Sequence, residues 1–118
     1  MLDNTLTITY DSTAVTMTKV AEQNFSSKYF GENGNDKLTM SVSHTIPARG
    51  SAGESHLVRL DVEHYDAEGL YLRTTSAWTV IKTFDSAQVS ASAEFTVAAL
   101  QDFTAVAANI SKIIARES

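Results

Sequence analysis

Thr39 and Ser41, two apart in the stretch KLTMSVSHTI, and Arg59 in HLVRLDVEHY are the residues of this chain best suited to bind a phosphate or the edge of a nucleobase. A hydroxyl both donates and accepts hydrogen bonds, and a guanidinium presents a planar fork of donors that fits phosphate oxygens or base edges. That chemistry requires the three side chains to share one surface. KLTMSVSHTI supplies the first part of the condition, because Leu38, Met40, Val42, His44 and Ile46 alternate with Lys37, Thr39, Ser41, Ser43 and Thr45. Such alternation marks a half-buried strand. HLVRLDVEHY alternates as well, with Val58, Leu60 and Val62 against Leu57, Arg59, Asp61 and Glu63. If the two strands form a hairpin, setting Leu38 opposite Val62, Met40 opposite Leu60 and Val42 opposite Val58 pairs every apolar position. The same register brings Ser41 opposite Arg59, Thr39 opposite Asp61, Ser43 opposite Leu57, and Lys37 opposite Glu63 in an expected ion pair. The candidate polar site is therefore Thr39, Ser41 and Arg59, with Lys37, Ser43 and Thr45 beside it. The same row also serves as a solvated face that keeps a sheet soluble, and pattern alone leaves both readings open.

The histidines are the other candidates for chemistry. His44, His56 and His64 share the parity of the apolar side, and the register sets His44 opposite His56. An imidazole pair can bind a metal or switch with pH, but two histidines at the rim of a core are the commoner arrangement. Asp61 and Glu63 point to the opposite face, so no histidine–carboxylate pair of catalytic geometry is expected. There is no Gly-rich phosphate loop, no HExxH and no nucleophile elbow. No enzyme, metal or cofactor is implied. Trp78, in TTSAWTVIK, has ambiguous parity and is read as core or as a subunit contact.

These residues need elements to hold them. Thr5 to Tyr10 and the segment after Asp11-Ser12 alternate and are rich in β-branched residues, which predicts an amino-terminal hairpin. A short third strand is expected over Phe25 to Phe30, followed by a turn, GENGND, over Gly31 to Asp36. The fourth strand is KLTMSVSHTI, stopped by Pro47, and a small loop, ARGSAGES, leads to the fifth. DAEG, Asp66 to Gly69, reverses the chain into a long sixth strand from Leu70 to Thr83. Beyond Phe84 the period changes. Leu100, Phe103, Ala107, Ile110 and Ile114 recur at helical spacing, with Glu94 early and Lys112 and Arg116 late, as the helix dipole favours. Two helices with a break near Ala108 are expected, Asn109 capping the second. Residues 1–118 then make one domain: hairpin 1–23, sheet 24–84, helices 85–118. The class is α+β, an antiparallel sheet of five to six strands with helices on one face, which leaves the other face without a cover of its own.

Composition narrows the classes. The 118 residues include 9 basic and 14 acidic side chains, a formal charge of −5, which argues against coating nucleic acid by bulk charge but not against a local basic site. With no cysteine there is neither a disulfide framework nor a thiolate metal site. No run approaches the roughly 20 apolar residues of a membrane span, and MLDNTLTITY has no signal-peptide form. Cytoplasmic synthesis without membrane association is expected.

In the order of its elements, and in KLTMSVSHTI, HLVRLDVEHYDAEG and the ending LQDFTAVAANISKIIARES, the chain resembles the coat proteins of single-stranded RNA bacteriophages, the leviviruses. The resemblance implies an interlocked homodimer, in which two sheets join edge to edge and each chain's helices cross onto the partner. It also implies an icosahedral capsid built in the bacterial host's cytoplasm, whose inner wall faces the genome. Leu100, Phe103, Ala107, Ile110 and Ile114 would then be intersubunit core. The best-known coats of this kind bind a hairpin of their own RNA and repress replicase translation. Their adenine pocket uses a Thr and a Ser two apart with a basic residue on the next strand, and Thr39, Ser41 and Arg59 match those positions. Two departures weaken the match to that hairpin. Ser43 stands where those coats have an arginine, and Thr74 where they have a base-stacking tyrosine. The Tyr65–Gly69 loop is also shorter than their symmetry-axis loop, which leaves the 48–55 loop to take part in those contacts. The alternatives are a small dimeric α+β domain binding a ligand or peptide and, behind it, a cone-shaped α+β enzyme, which would require a carboxylate and a histidine together in a pocket.

Overall fold

The computed structural model describes residues 2–46, 53–83 and 90–116. Six strands, β1 (Thr5–Tyr10), β2 (Thr13–Gln23), β3 (Ser26–Asn33), β4 (Asp36–Thr45), β5 (Glu54–Tyr65) and β6 (Tyr71–Thr83), form one antiparallel sheet in sequence order. Two helices follow, α1 (Ser90–Thr104) and α2 (Ala107–Ile114). This is the expected α+β class. The expected stop at Pro47, most of the 48–55 loop, and the 84/85 boundary lie outside the described residues.

Local chemistry explains most of the strand boundaries. Asp11 and Ser12 take positive φ angles of 51° and 60°, so β1 and β2 are joined by the tight two-residue turn whose twist suits a hairpin. Asp66 closes the β5–β6 connection, its Oδ1 accepting the backbone N–H of Glu68 at 3.0 Å and of Leu70 at 2.8 Å. The GENGND turn is shorter than expected, because Gly31 to Asn33 still belong to β3. Gly31 answers to packing rather than to a turn. A Cβ there would sit 2.6 Å from Met17 Sδ and 2.7 Å from the Thr16 carbonyl oxygen, closer than a methyl can approach.

The sheet curls. In a flat sheet β1 and β4 would lie about 14 Å apart, three strand spacings. Yet the Tyr10 hydroxyl donates to Asp36 Oδ2 at 2.9 Å, and the Tyr29 hydroxyl reaches back to the Asp3 carbonyl at 2.6 Å. The curl folds the hairpin over one face and encloses Val15, Met17, Tyr29, Leu38 and Val62, with Leu6, Ile8, Met40 and Leu60 packed around them. A bulge between Lys19 and Ala21 lets β2 bend. The core ends before the rim, where His44 is exposed and Ile46, expected on the apolar row, is 51% exposed.

The helices depart furthest from the expectation drawn from pattern alone. They do not cover the sheet. No described residue of α2 is buried, and Leu100, Phe103, Ile110 and Ile114 remain substantially exposed. Consistently, the Cα radius of gyration is 16.5 Å, against about 13.5 Å for a compact domain of this length. The helices meet at a 74° bend. It falls at Ala105–Val106 rather than near Ala108, and Val106 is the N-cap residue, without a side-chain bond. Asn109 instead donates from Nδ2 to the Phe103 carbonyl at 3.0 Å and so secures the end of α1. Among the described residues no single helix is long and apolar enough to cross a membrane.

Candidate nucleic-acid interface

β4 and β5 pair in the register expected from their apolar positions, from Asp36↔His64 through Thr45↔Ser55. That register places Lys37, Thr39, Ser41, Ser43 and Thr45 on the face away from the core and sets Ser41 beside Arg59. Thr39, Ser41 and Arg59 are thus neighbours on one open surface. The reason is local. Leu38 and Val42 are buried on the core side, and a strand's two-residue period turns their neighbours outward.

The Arg59 cation on this face is paired. Arg59 Nε donates to Asp61 Oδ1 at 3.0 Å, while Ser76 Oγ donates to the same oxygen. The Ser76 hydrogen bond and the Arg59 cation hold the Asp61 carboxyl below its usual range, although burial works against them. The Lys37–Glu63 ion pair does not form. Glu63 Oε2 instead accepts the Tyr65 hydroxyl at 2.7 Å, and Lys37 Nζ lies 4.8 Å from the centre of the Tyr65 ring. The Tyr65 hydroxyl is correspondingly pushed above its ordinary pKa, first by that hydrogen bond.

Trp78 is neither core nor part of an intrachain contact between layers. It pairs with Arg59 across β5 and β6, is 61% exposed, and stands on the open face with the guanidinium 5.6 Å from its ring centre. An exposed indole backed by an arginine is a platform on which a base can stack. An aromatic pair lies further along the same face. Tyr65 and Tyr71 meet edge to face at 5.8 Å between ring centres, and the Tyr71 hydroxyl is 2.6 Å from Thr74 Oγ1. So where Thr74 replaces a tyrosine in the expected pattern, a tyrosine from the same strand stands within hydrogen-bond reach.

The core side holds a histidine–carboxylate pair that was not expected. His64 Nδ1 is 3.1 Å from Asp36 Oδ1, its Nε2 is 3.1 Å from Thr75 Oγ1, and Asp36 also accepts from Tyr10. The signal was available, because the register that matches the apolar residues also sets Asp36 opposite His64; attention to Asp61 and Glu63 alone misses it. Its acid–imidazole–hydroxyl line ties β1, β4, β5 and β6 together. His44 and His56 do meet as expected, Nδ1 to Nδ1 at 2.8 Å, with Glu54 3.5 Å from His56 Nε2. Among the described residues no cluster of three or more metal-binding side chains forms.

Comparison with known proteins gives this geometry a context. A sequence profile of the family described as phage phiCb5, coat protein, matches residues 3–84. No curated protein matches by sequence. Among solved structures, the virus-like particle of Beihai levi-like virus 21 superposes with a TM-score of 0.70 at 13% identity, covering 93% of this chain and 90% of that one. The bacteriophage GA protein capsid gives 0.57 at 14% identity, over 92% and 88% of the two chains. An unassembled bacteriophage coat protein dimer, described as an RNA-binding dimer, gives 0.61 at 14% identity, over 98% and 95%. At these identities the likeness is one of fold.

Proposed function

This chain belongs to the phage phiCb5 coat-protein family, as a coat protein of the single-stranded RNA bacteriophages, and from that premise we propose that it acts as a homodimer that assembles into an icosahedral shell and binds genomic RNA on its open sheet face. It is a capsid protein of the virion rather than an enzyme. All 118 residues work as one coat domain.

The observation that carries the dimer is the apolar surface left uncovered by the protomer. Leu100 and Phe103 of α1, with Ile110 and Ile114 of α2, remain 40–77% exposed among the described residues of their own chain, Ala107 is exposed beside them, and β6 is an edge strand with Tyr71 at 56% and Leu72 at 53% exposure. An open, apolar strand edge invites aggregation unless it is paired. Joining two β6 edges and crossing the helices onto the partner's sheet removes both liabilities at once.

Within the dimer the open faces form one continuous wall. Thr39, Ser41 and Arg59, with Trp78, make the principal RNA contacts, and Lys37, Ser43 and Thr45 extend them. An operator hairpin, if this coat represses replicase translation, is read by the same residues. Because Asp61 already shares the Arg59 charge, base stacking on Trp78 contributes alongside phosphate attraction, which suits a chain of formal charge −5.

The test is electron microscopy of the protein expressed alone in bacteria, with the ultraviolet absorbance ratio of the same particles. Uniform shells rich in nucleic acid are expected. Arg59→Ala should weaken RNA binding by about 1–3 kcal/mol with the dimer intact. Discrete dimers without nucleic acid would overturn the reading.

A further inference from the structure

The polar surface around Ser41 and Ser43 extends onto β3. Register places Lys28 of β3 directly opposite Ser41, and Ser26 opposite Ser43. A shallow cavity of about 180 Å³ lies here, lined by Glu22, Gln23, Ser26, Lys28, Ser41 and Ser43 among others, the Glu22 carboxylate being paired with Lys19 at 3.5 Å. The β2 bulge shapes it, because the register shift after Lys19 brings the small side chain of Ala21 opposite Lys28. The cation is also differently employed from its neighbours. Arg59 is held by Asp61 and Lys37 lies over Tyr65, whereas Lys28 is exposed and makes no ion pair or hydrogen bond among the described residues, its charge acting only at longer range to help lower the Asp61 pKa.

We propose that Lys28, with the hydroxyls of Ser26, Ser41 and Ser43, is a binding subsite for a backbone phosphate of single-stranded RNA. The inference rests on the RNA-binding reading above and adds a place for the backbone to it. An ammonium on a flexible stem is a compact point charge with three donors, and serine hydroxyls complete the coordination of phosphate oxygens. Lys28, Ser41, Arg59 and Trp78 stand in one row across four adjacent strands. Three strand spacings, about 14 Å, separate its ends. RNA laid across the strands is gripped by its phosphate at Lys28 while a base stacks on Trp78. The phosphate contact positions the chain and carries no sequence information.

The test measures binding of the full chain to labelled oligouridylate and oligocytidylate of about 12 nucleotides over a series of salt concentrations. Lys28→Gln should lower the slope of log affinity against log salt by about 0.7 per contact in single strands, equally on both oligomers, and Lys28→Arg should restore it. Trp78→Ala should weaken binding with the slope unchanged. If Lys28→Gln leaves slope and affinity as they were while Trp78→Ala weakens binding, the subsite is wrong and the RNA reading stands. A loss of affinity at unchanged slope also overturns the subsite, since Lys28 would then not act on phosphate. If the unaltered chain binds neither oligomer, both readings fall.

Discussion

Ile114→Ala is the cleanest probe of the dimer, because Ile114 is 77% exposed in the protomer and its removal leaves almost nothing unpaired there. Fully burying an isoleucine side chain is worth about 1.5–3 kcal/mol. Roughly three quarters of that is unrealised in the single chain, and alanine keeps one of the four side-chain carbons. The loss on dimerisation is then about 0.8–1.7 kcal/mol per protomer. A twofold interface counts each substitution twice, giving about 1.7–3.4 kcal/mol, a rise in the dimer dissociation constant of roughly 20- to 300-fold. The assay is native mass spectrometry or analytical ultracentrifugation over a dilution series under conditions that prevent shell assembly. Helicity should stay unchanged, since alanine is the better helix former. A dissociation constant equal to that of the unaltered chain would refute the reasoning, for it would mean that no partner buries this face.

Three further substitutions test the protomer. Gly31→Ala should cost about 1–3 kcal/mol in urea unfolding, because the new methyl meets Met17 Sδ and the Thr16 carbonyl; a neutral result would mean that β2 and β3 separate more easily than their packing implies. Tyr10→Phe removes a hydrogen bond to the Asp36 carboxylate, worth about 1 kcal/mol after allowance for partial exposure. Burial and Asp36 raise the Tyr10 pKa, so this stabilisation is complete below about pH 10, the unfolded value, and is lost as pH rises through the higher folded one. Unfolding curves of the two proteins should therefore converge only in strong base. The Asp61 pKa is lowered, so its contribution is present above the unfolded value of about 3.9 and lost as pH falls through the folded one. Asp61→Asn should flatten stability against pH below about pH 4, measured by urea midpoints, and an unchanged acid limb would contradict the Ser76 and Arg59 contacts.

Much of the candidate site was legible in the residues because β-strand geometry is local and its period is short. Leu38, Val42 and Val62 must be buried, and once they are paired, Ser41 has no alternative to standing beside Arg59. What escaped that logic are contacts that reach beyond one hairpin or along a side chain. Trp78 had two equally good parities in TTSAWTVIK, and only the β5–β6 register settles that it shares Arg59's face. Lys28 lies within the expected third strand, Phe25 to Phe30, but only the β3–β4 register sets it opposite Ser41. The Lys37–Glu63 pair followed from register, but Tyr65, two residues along the same strand, competes for both partners.

Sequence by itself determined the strands, their order, the β4–β5 register and the presence of two apolar helices, since alternation, turn residues and helical spacing are all properties of neighbours along the chain. Tertiary structure decided where the helices lie and how the sheet closes. An apolar helical stripe states only that it must be buried, not against what, and here its own sheet leaves Ile114 and Leu100 exposed. Arg59 is shared between Asp61, two residues along β5, and Trp78 on the neighbouring strand, whereas the curl that carries Tyr10 to Asp36 arises from distances between strands remote in sequence. Such distances come from twist, bulge and packing acting together, and no single segment encodes them.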